Sequence, residues 1–235
     1  LRFDNAATKD DGAPADAVLG QANFTSNGAV TPPAATSLLF PNGVFVDGGG
    51  RLWVADAGNN RVLRFDNAAT KANGAAADGV LGQPDFTTDS SATSQNGMLI
   101  PVGVFGDPSG RLYVADVFNN RVLIFNNAAL KNDGANANNV LGQPNFTSDN
   151  GGTTATSLEQ PGMPCFDFLT SSLYVPDSGN NRVVRYTVSP PLTVQAGGRG
   201  NNLGANIADP AICIDSGGLV GIEVIIANSD TTQVA

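Results

Sequence analysis

The sequence predicts an all-β fold, and three observations carry the prediction. A unit of 60 to 62 residues recurs in register: "LRFDNAATK" at Leu1–Lys9 returns at Leu63–Lys71 and, as "LIFNNAALK", at Leu123–Lys131, while "VLGQ" starts at Val18, Val80 and Val140. Within each unit, short runs rich in β-branched and aromatic residues are bounded by Gly, Asn and Asp, as strands are. Apolar residues point both ways along those runs, as at Val62, Leu63 and Phe65, so both faces of each sheet must be covered. A four-stranded antiparallel sheet covered on both faces and repeated radially is a blade of a β-propeller.

Taken in chain order, residues 1–40 read as a half blade followed by a loop, because Leu1 starts where the third strand stands in the later units. Residues 41–100 are a full blade with strands at Gly43–Asp47, Arg51–Asp56, Arg61–Asp66 and Gly79–Gln83. The insert "NAATKANGAAAD" between its third and fourth strands holds one helical turn over Ala68–Lys71, with Asp66 or Asn67 as N-cap and Gly74 closing it. Residues 101–160 repeat this blade. Residues 161–209 form a shorter one, with "PGMPCFD" as a looser first strand and Leu192–Ala196 as its outer strand. In residues 210–235, "PAICIDSGG" and "VIIANSDTTQV" echo the first two strands only and form a degenerate half blade. The expectation is one domain of about four blades, the terminal blade split between the two ends of the chain.

Those complementary halves admit three arrangements: closure within one chain, which removes exposed sheet edges; membership of a larger ring; or pairing between molecules into a filament. The chain starts at Leu1 without a basic-then-apolar leader, so it reads as a processed or partial piece of a longer one.

The pattern P-x-G-V…D…G-R-L-[WY]-V-A-D-x-x-N-N-R-V, running through residues 41–186, resembles the NHL-repeat class of β-propellers. The units here are longer than usual NHL blades. The resemblance implies blades of the same order, with any ligand site at a channel mouth. Some similar propellers are lyases with histidine-bound metal, and no residue here can carry that mechanism, because the chain has no histidine.

Composition narrows the functional classes further. A net charge of −9 and a pI near 4.2 disfavour nucleic acid and anionic membranes, and a patch of Arg2, Arg64 and Arg185 on one face would be needed to reverse that. No apolar run is long enough to span a bilayer; "LVGIEVIIA" from Leu219 is short and carries Glu223. Scarce lysine and abundant Asn, Thr and Gly suit an extracellular or surface setting. The missing histidines remove the commonest general base, the commonest zinc ligand and any Ser–His triad.

Asp56, Asp116 and Asp177 share one repeat position, as do Arg61, Arg121 and Arg182. Equivalent residues in every blade answer a need that every blade has, so we expect structural roles: the Asp accepting turn amides, the Arg tying loops together. Calcium is the cation that the side chains admit, and Asp10, Asp11 and Asp16 are the richest carboxylate cluster, although without EF-hand spacing. A calcium-dependent, lactonase-like propeller would also want a channel-facing Glu, and neither Glu159 nor Glu223 is well placed for it. Cys165 and Cys213 align on innermost strands of consecutive blades, as small apolar residues near the hub or as a disulfide. Asn23 and Asn145 begin "NFT" sequons that read as incidental, since the repeated feature is the Phe at positions 24, 86 and 146. Trp53, replaced by Tyr113 and Tyr174 later, reads as filler between sheets.

The function expected from these features is a non-enzymatic extracellular interaction or structural module, engaging a protein partner or itself and needing no cofactor. The alternative is a calcium-dependent hydrolase or carbohydrate-binding propeller.

Overall fold

The computed structural model describes residues 1–188, in which the strand-forming runs pair into three consecutive antiparallel sheets. The first contains β1 (Pro41–Val46), β2 (Leu52–Asp56), β3 (Arg61–Phe65) and β4 (Gly79–Leu81), ordered as in the chain. The second repeats it with β5 (Pro101–Gly106), β6 (Leu112–Asp116), β7 (Arg121–Phe125) and β8 (Asn139–Leu141). The third has β9 (Cys165–Asp167), β10 (Ser172–Asp177) and β11 (Arg182–Thr187). These are β-propeller blades. The expected outer strand at 192–196 and the half blade at 210–235 lie outside the described residues.

Three details differ from the sequence reading. The fourth strands end at Leu81 and Leu141 rather than running on to the glutamine, because Gly82 and Gly142 take φ of 92° and 85° and turn the chain away. The N-terminal half blade is reduced to one bridge, between Arg2 and Ala17. The insert holds a 3-10 turn at Ala68–Thr70, preceded by Asn67 in the left-handed region, with no side-chain cap.

Period-two geometry explains how the blades are covered on both faces. In β6, Leu112 and Val114 pack towards the first sheet, whereas Tyr113 packs towards the third. In β7, Leu123 and Phe125 take the first direction and Val122 and Ile124 the second. Each blade therefore contributes to two cores, and consecutive apolar residues in one strand are required rather than anomalous.

Glycines let β1 approach β5, and β5 approach the segment that enters the third blade. A Cβ at Gly43 would stand 2.7 Å from the Val102 carbonyl oxygen, and one at Gly103 would stand 2.4 Å from the Met163 Cα. Phe45 and Phe105, two residues on, fill the adjoining space with ring centroids 4.9 Å apart.

The inserts join one blade to the next. Val80 N–H of β4 donates to Asp133 Oδ1 at 2.9 Å, and Gly134 N–H returns a bond to the Val80 carbonyl at 3.1 Å. The preceding pair repeats the motif, with Val18 N–H on Asn73 Oδ1 at 3.0 Å and Gly74 N–H on the Val18 carbonyl. Arg2 and Arg64 reinforce these junctions by donating to the carbonyls of Lys71 and Ala129 in the following insert. At the third occurrence of this position stands Ile124 in place of an arginine. Asp133→Ala is expected to cost about 1 kcal/mol by leaving the buried Val80 N–H without a partner. Hydrogen exchange would show faster exchange of that amide; unchanged protection would dismiss the clamp.

Candidate functional site

At the end of β2 a short 3-10 turn, Ala57–Asn59, leads through Asn60 in the left-handed region into β3. The turn sets Asp56, Asn59 and Arg61 against one another. Asp56 Oδ2 accepts from Arg61 Nε at 2.7 Å and from Asn59 Nδ2 at 2.8 Å, while its Oδ1 accepts the Leu39 N–H at 2.6 Å. Arg61 then donates to the carbonyls of Ala34 and Ser37 in the loop before the blade, and of Phe86 in the loop after it. Asp116, Asn119 and Arg121 repeat the arrangement with Leu99, Phe146, Ser94 and Gly97. Asp177, Asn180 and Arg182 repeat the aspartate's contacts, with Glu159 N–H as the distant donor, but Arg182 donates to three carbonyls of the connection before the blade, those of Thr153, Thr154 and Ser157.

The aspartates do not form Asx turns as expected. Their second oxygen reaches the amide 17 or 18 residues earlier, in the connection that enters the blade. Burial separates the boxes as well. Burial, opposed by Arg121 and by bonds from Leu99 and Asn119, leaves the Asp116 carboxyl above its ordinary value. Around Asp177 the burial effect is outweighed by bonds from Glu159 N–H, Asn180 and Arg182, so its carboxyl lies below the ordinary range. Arg121 is fully buried, whereas Arg182 is 32% exposed.

The second asparagine of the first two pairs reaches the connection to the next blade. Asn60 Oδ1 accepts the Ile100 N–H at 2.8 Å and its Nδ2 donates to the Asp89 carbonyl; Asn120 does the same with Gln160 N–H and Asp149. The glutamine of "VLGQ" closes the connecting loop: Gln83 Nε2 donates to the carbonyls of Asn60 and Ser90, and Gln143 Nε2 to those of Asn120 and Asn150.

The "NFT" sites have a local structural use as well. Asn23 and Asn145 each accept the N–H and hydroxyl of the threonine two residues on, and Asp85 does the same for Thr87. An oxygen at this position meets the local need whether it belongs to an amide or a carboxylate. Phe86 and Phe146 pack against the cores, as the repeat suggested, but Phe24 is half exposed.

A pocket of about 250 Å³ opens at the opposite end of the first two blades, lined among others by Phe45, Asp47, Arg51, Trp53, Asp107 and Arg111. It is smaller than most small-molecule sites, which run from roughly 300 to 1,000 Å³. Its polar groups are turned on one another. Asp47 accepts from Arg51 Nε at 2.8 Å and Trp53 Nε1 at 3.0 Å, and these bonds outweigh burial and hold its carboxyl below the ordinary range. Asp107 likewise takes Arg111 Nε and the Tyr113 hydroxyl. Trp53 is buried between sheets, and Arg64 stands 6.0 Å over its ring.

The remaining sequence candidates do not gather. Asp16 accepts the Asp4 N–H and pairs with Lys9, Asp10 and Asp11 are exposed, and among the described residues no three metal-ligating side chains converge. Cys165 is exposed rather than packed, and Cys213 lies outside the described residues. Arg2 and Arg64 are tied to Asp4 and Asp66 and to neighbouring inserts, so they do not join Arg185 in a free basic patch. No helix among the described residues is long and apolar enough to cross a membrane.

An all-β architecture of stacked antiparallel blades, each locked by an Asp–Asn–Arg box, defines a propeller of repeated units. Residues 38–65 match the NHL repeat, spanning β1 to β3 with the first box, so the chain carries that repeat. No curated protein sequence matches the chain. Three solved structures are similar to parts of the chain at low identity. A candidate phosphatase from Bacteroides thetaiotaomicron is 12% identical, with 62% of this chain and 35% of that one covered at a TM-score of 0.45. A candidate 6-phosphogluconolactonase from Bacteroides uniformis is 15% identical, with 70% and 42% covered at 0.42. A catalytically inactive virginiamycin B lyase from Staphylococcus aureus, solved with quinupristin, is 12% identical, with 68% and 44% covered at 0.38. The aligned part of each is less than half of that structure's length.

Proposed function

We propose that this protein is a non-enzymatic extracellular propeller module whose work is association, with a protein partner or with further copies of itself, through incomplete blade faces. One observation carries the reading. Val44 and Val46 on β1 are 53% and 59% exposed, whereas Val104 on β5 is buried beneath the strand before it, and Gly106 packs on Phe45. A first strand of this kind is built to be covered by another strand pair, and a row of exposed apolar side chains is favourable to bury. The recurrent Asp, Asn and Arg residues support the same reading, because their hydrogen bonds are directed at neighbouring loops and blades.

Light scattering combined with negative-stain imaging tests this. Assemblies that grow with concentration support association between molecules. Compact single-chain particles at every concentration would remove self-association and leave closure within the chain or a separate partner. A melting temperature that rises on calcium titration would overturn the non-enzymatic, cofactor-free reading in favour of a calcium-dependent propeller.

A further inference from the structure

Antiparallel order places the Asn–Asn turns and the long inter-blade connections at one end of the sheets, and the β1–β2 and β5–β6 turns at the other. At the Asn–Asn end the segments 20–40, 57–60, 82–100, 117–120, 142–160 and 178–181 contain four carboxylates, Asp85, Asp89, Asp149 and Glu159, and no lysine or arginine. The arginines that follow these turns have their guanidinium groups bound to aspartate and to backbone carbonyls.

On that acidic end stands an apolar ridge. Phe40 and Ile100, which directly precede the first strands, are 77% and 36% exposed, and both are held at φ of about 50°. For a β-branched residue such as Ile100 this conformation is an outlier that needs outside support. Asn60 supplies it through the bond to the Ile100 N–H. Beside Ile100 is Phe118, 50% exposed, whose N–H reaches the Leu99 carbonyl.

Phe118 breaks the repeat. Its equivalents are Gly58 and Gly179, where an added Cβ would strike Leu39 or Glu159. With Phe in that position the bond to the preceding connection stretches to 3.3 Å, against 2.8 Å and 2.9 Å at the two glycines. A residue that loosens its own turn and leaves its ring in water adds nothing to the blade. A carboxylate stands beside this turn: the Thr93 hydroxyl bonds Asn119 Oδ1 at 2.7 Å and lies 3.3 Å from Asp149 Oδ2, while Asn60 and Asn120 hold the backbone carbonyls of Asp89 and Asp149.

We infer that the ridge of Phe40, Ile100 and Phe118 is a docking surface for a basic protein segment that presents apolar side chains between its lysines or arginines. This goes beyond the β1 face proposed above and rests on the same reading, that the protein works by association. The ridge would bury the apolar side chains, and the acidic connections would attract the cationic ones and set the direction of approach.

Fluorescence anisotropy with a short peptide alternating lysine and leucine tests the surface, alongside lysine–serine and glutamate–leucine versions. The lysine–leucine peptide should bind alone, and more weakly as salt rises. Phe118→Gly, which restores the residue used by the other two blades, should lower the affinity by about tenfold or more while the melting temperature is kept or raised. Asp149→Asn should weaken binding and flatten its salt dependence. Equal binding of all three peptides, or binding indifferent to Phe118→Gly, would overturn the inference. So would a dimer formed without peptide and abolished by Phe118→Gly, since a second copy would then be the occupant. A calcium-dependent rise in melting temperature counts against the association reading itself, whatever the peptide does.

Discussion

Asp116→Asn is expected to destabilise the fold by about 3–5 kcal/mol, because it leaves Arg121 charged and buried with no counter-charge. For a chain of this size that is a fall in melting temperature of roughly 6–20 °C. Asp177→Asn, made in a box where the aspartate has the same kinds of partner, should cost only about 1–2 kcal/mol. The difference lies in the arginines: Arg121 is fully buried, whereas Arg182 is 32% exposed and can be hydrated when its partner is neutralised. Urea unfolding of the two variants decides the point. Equal losses would mean that the ion pair matters less than the amide bonds that both variants can partly keep.

Gly103→Ala is expected to cost about 3 kcal/mol, at the upper end of the usual range for overpacking. Its Cβ would meet the Met163 Cα at 2.4 Å, and a backbone atom cannot swing aside as a side chain does. The first strand of the second blade and the segment entering the third must then separate, which loosens the packing of Tyr113 and Phe166 between those sheets as well. Gly110→Ala is the natural comparison. Gly110 has a positive φ and no atom near its Cβ position, so it reports backbone preference without the collision. A Gly103→Ala protein no less stable than the Gly110→Ala protein would show that the close approach is not a constraint.

Much of this architecture was legible before any coordinates. Strand positions followed from β-branched and aromatic runs between Gly, Asn and Asp, and two-sided burial followed from Leu63 and Val62 standing side by side in one strand. That Asp56 and Arg61 hold structural positions could be read from their recurrence in every blade. The partners of those same groups could not. Leu39 and Phe86 lie in irregular connections, and spacing along a chain does not say which carbonyl or amide of a loop comes within reach.

The insert shows the same boundary. Its helical turn could be read from Asn67, the alanines and Gly74, but its use as a clamp, through Asp133 on Val80 and Asn73 on Val18, joins residues 53 and 55 positions apart. Local sequence determined which segments are strands, where they turn and that neighbouring blades must cover them, because those properties depend on side-chain alternation and backbone preference within a few residues. Tertiary structure alone decided which glycines let blades approach, that Cys165 is exposed, and that Phe118 stands outside a box its neighbours complete with glycine. Those properties depend on what the next blade brings alongside.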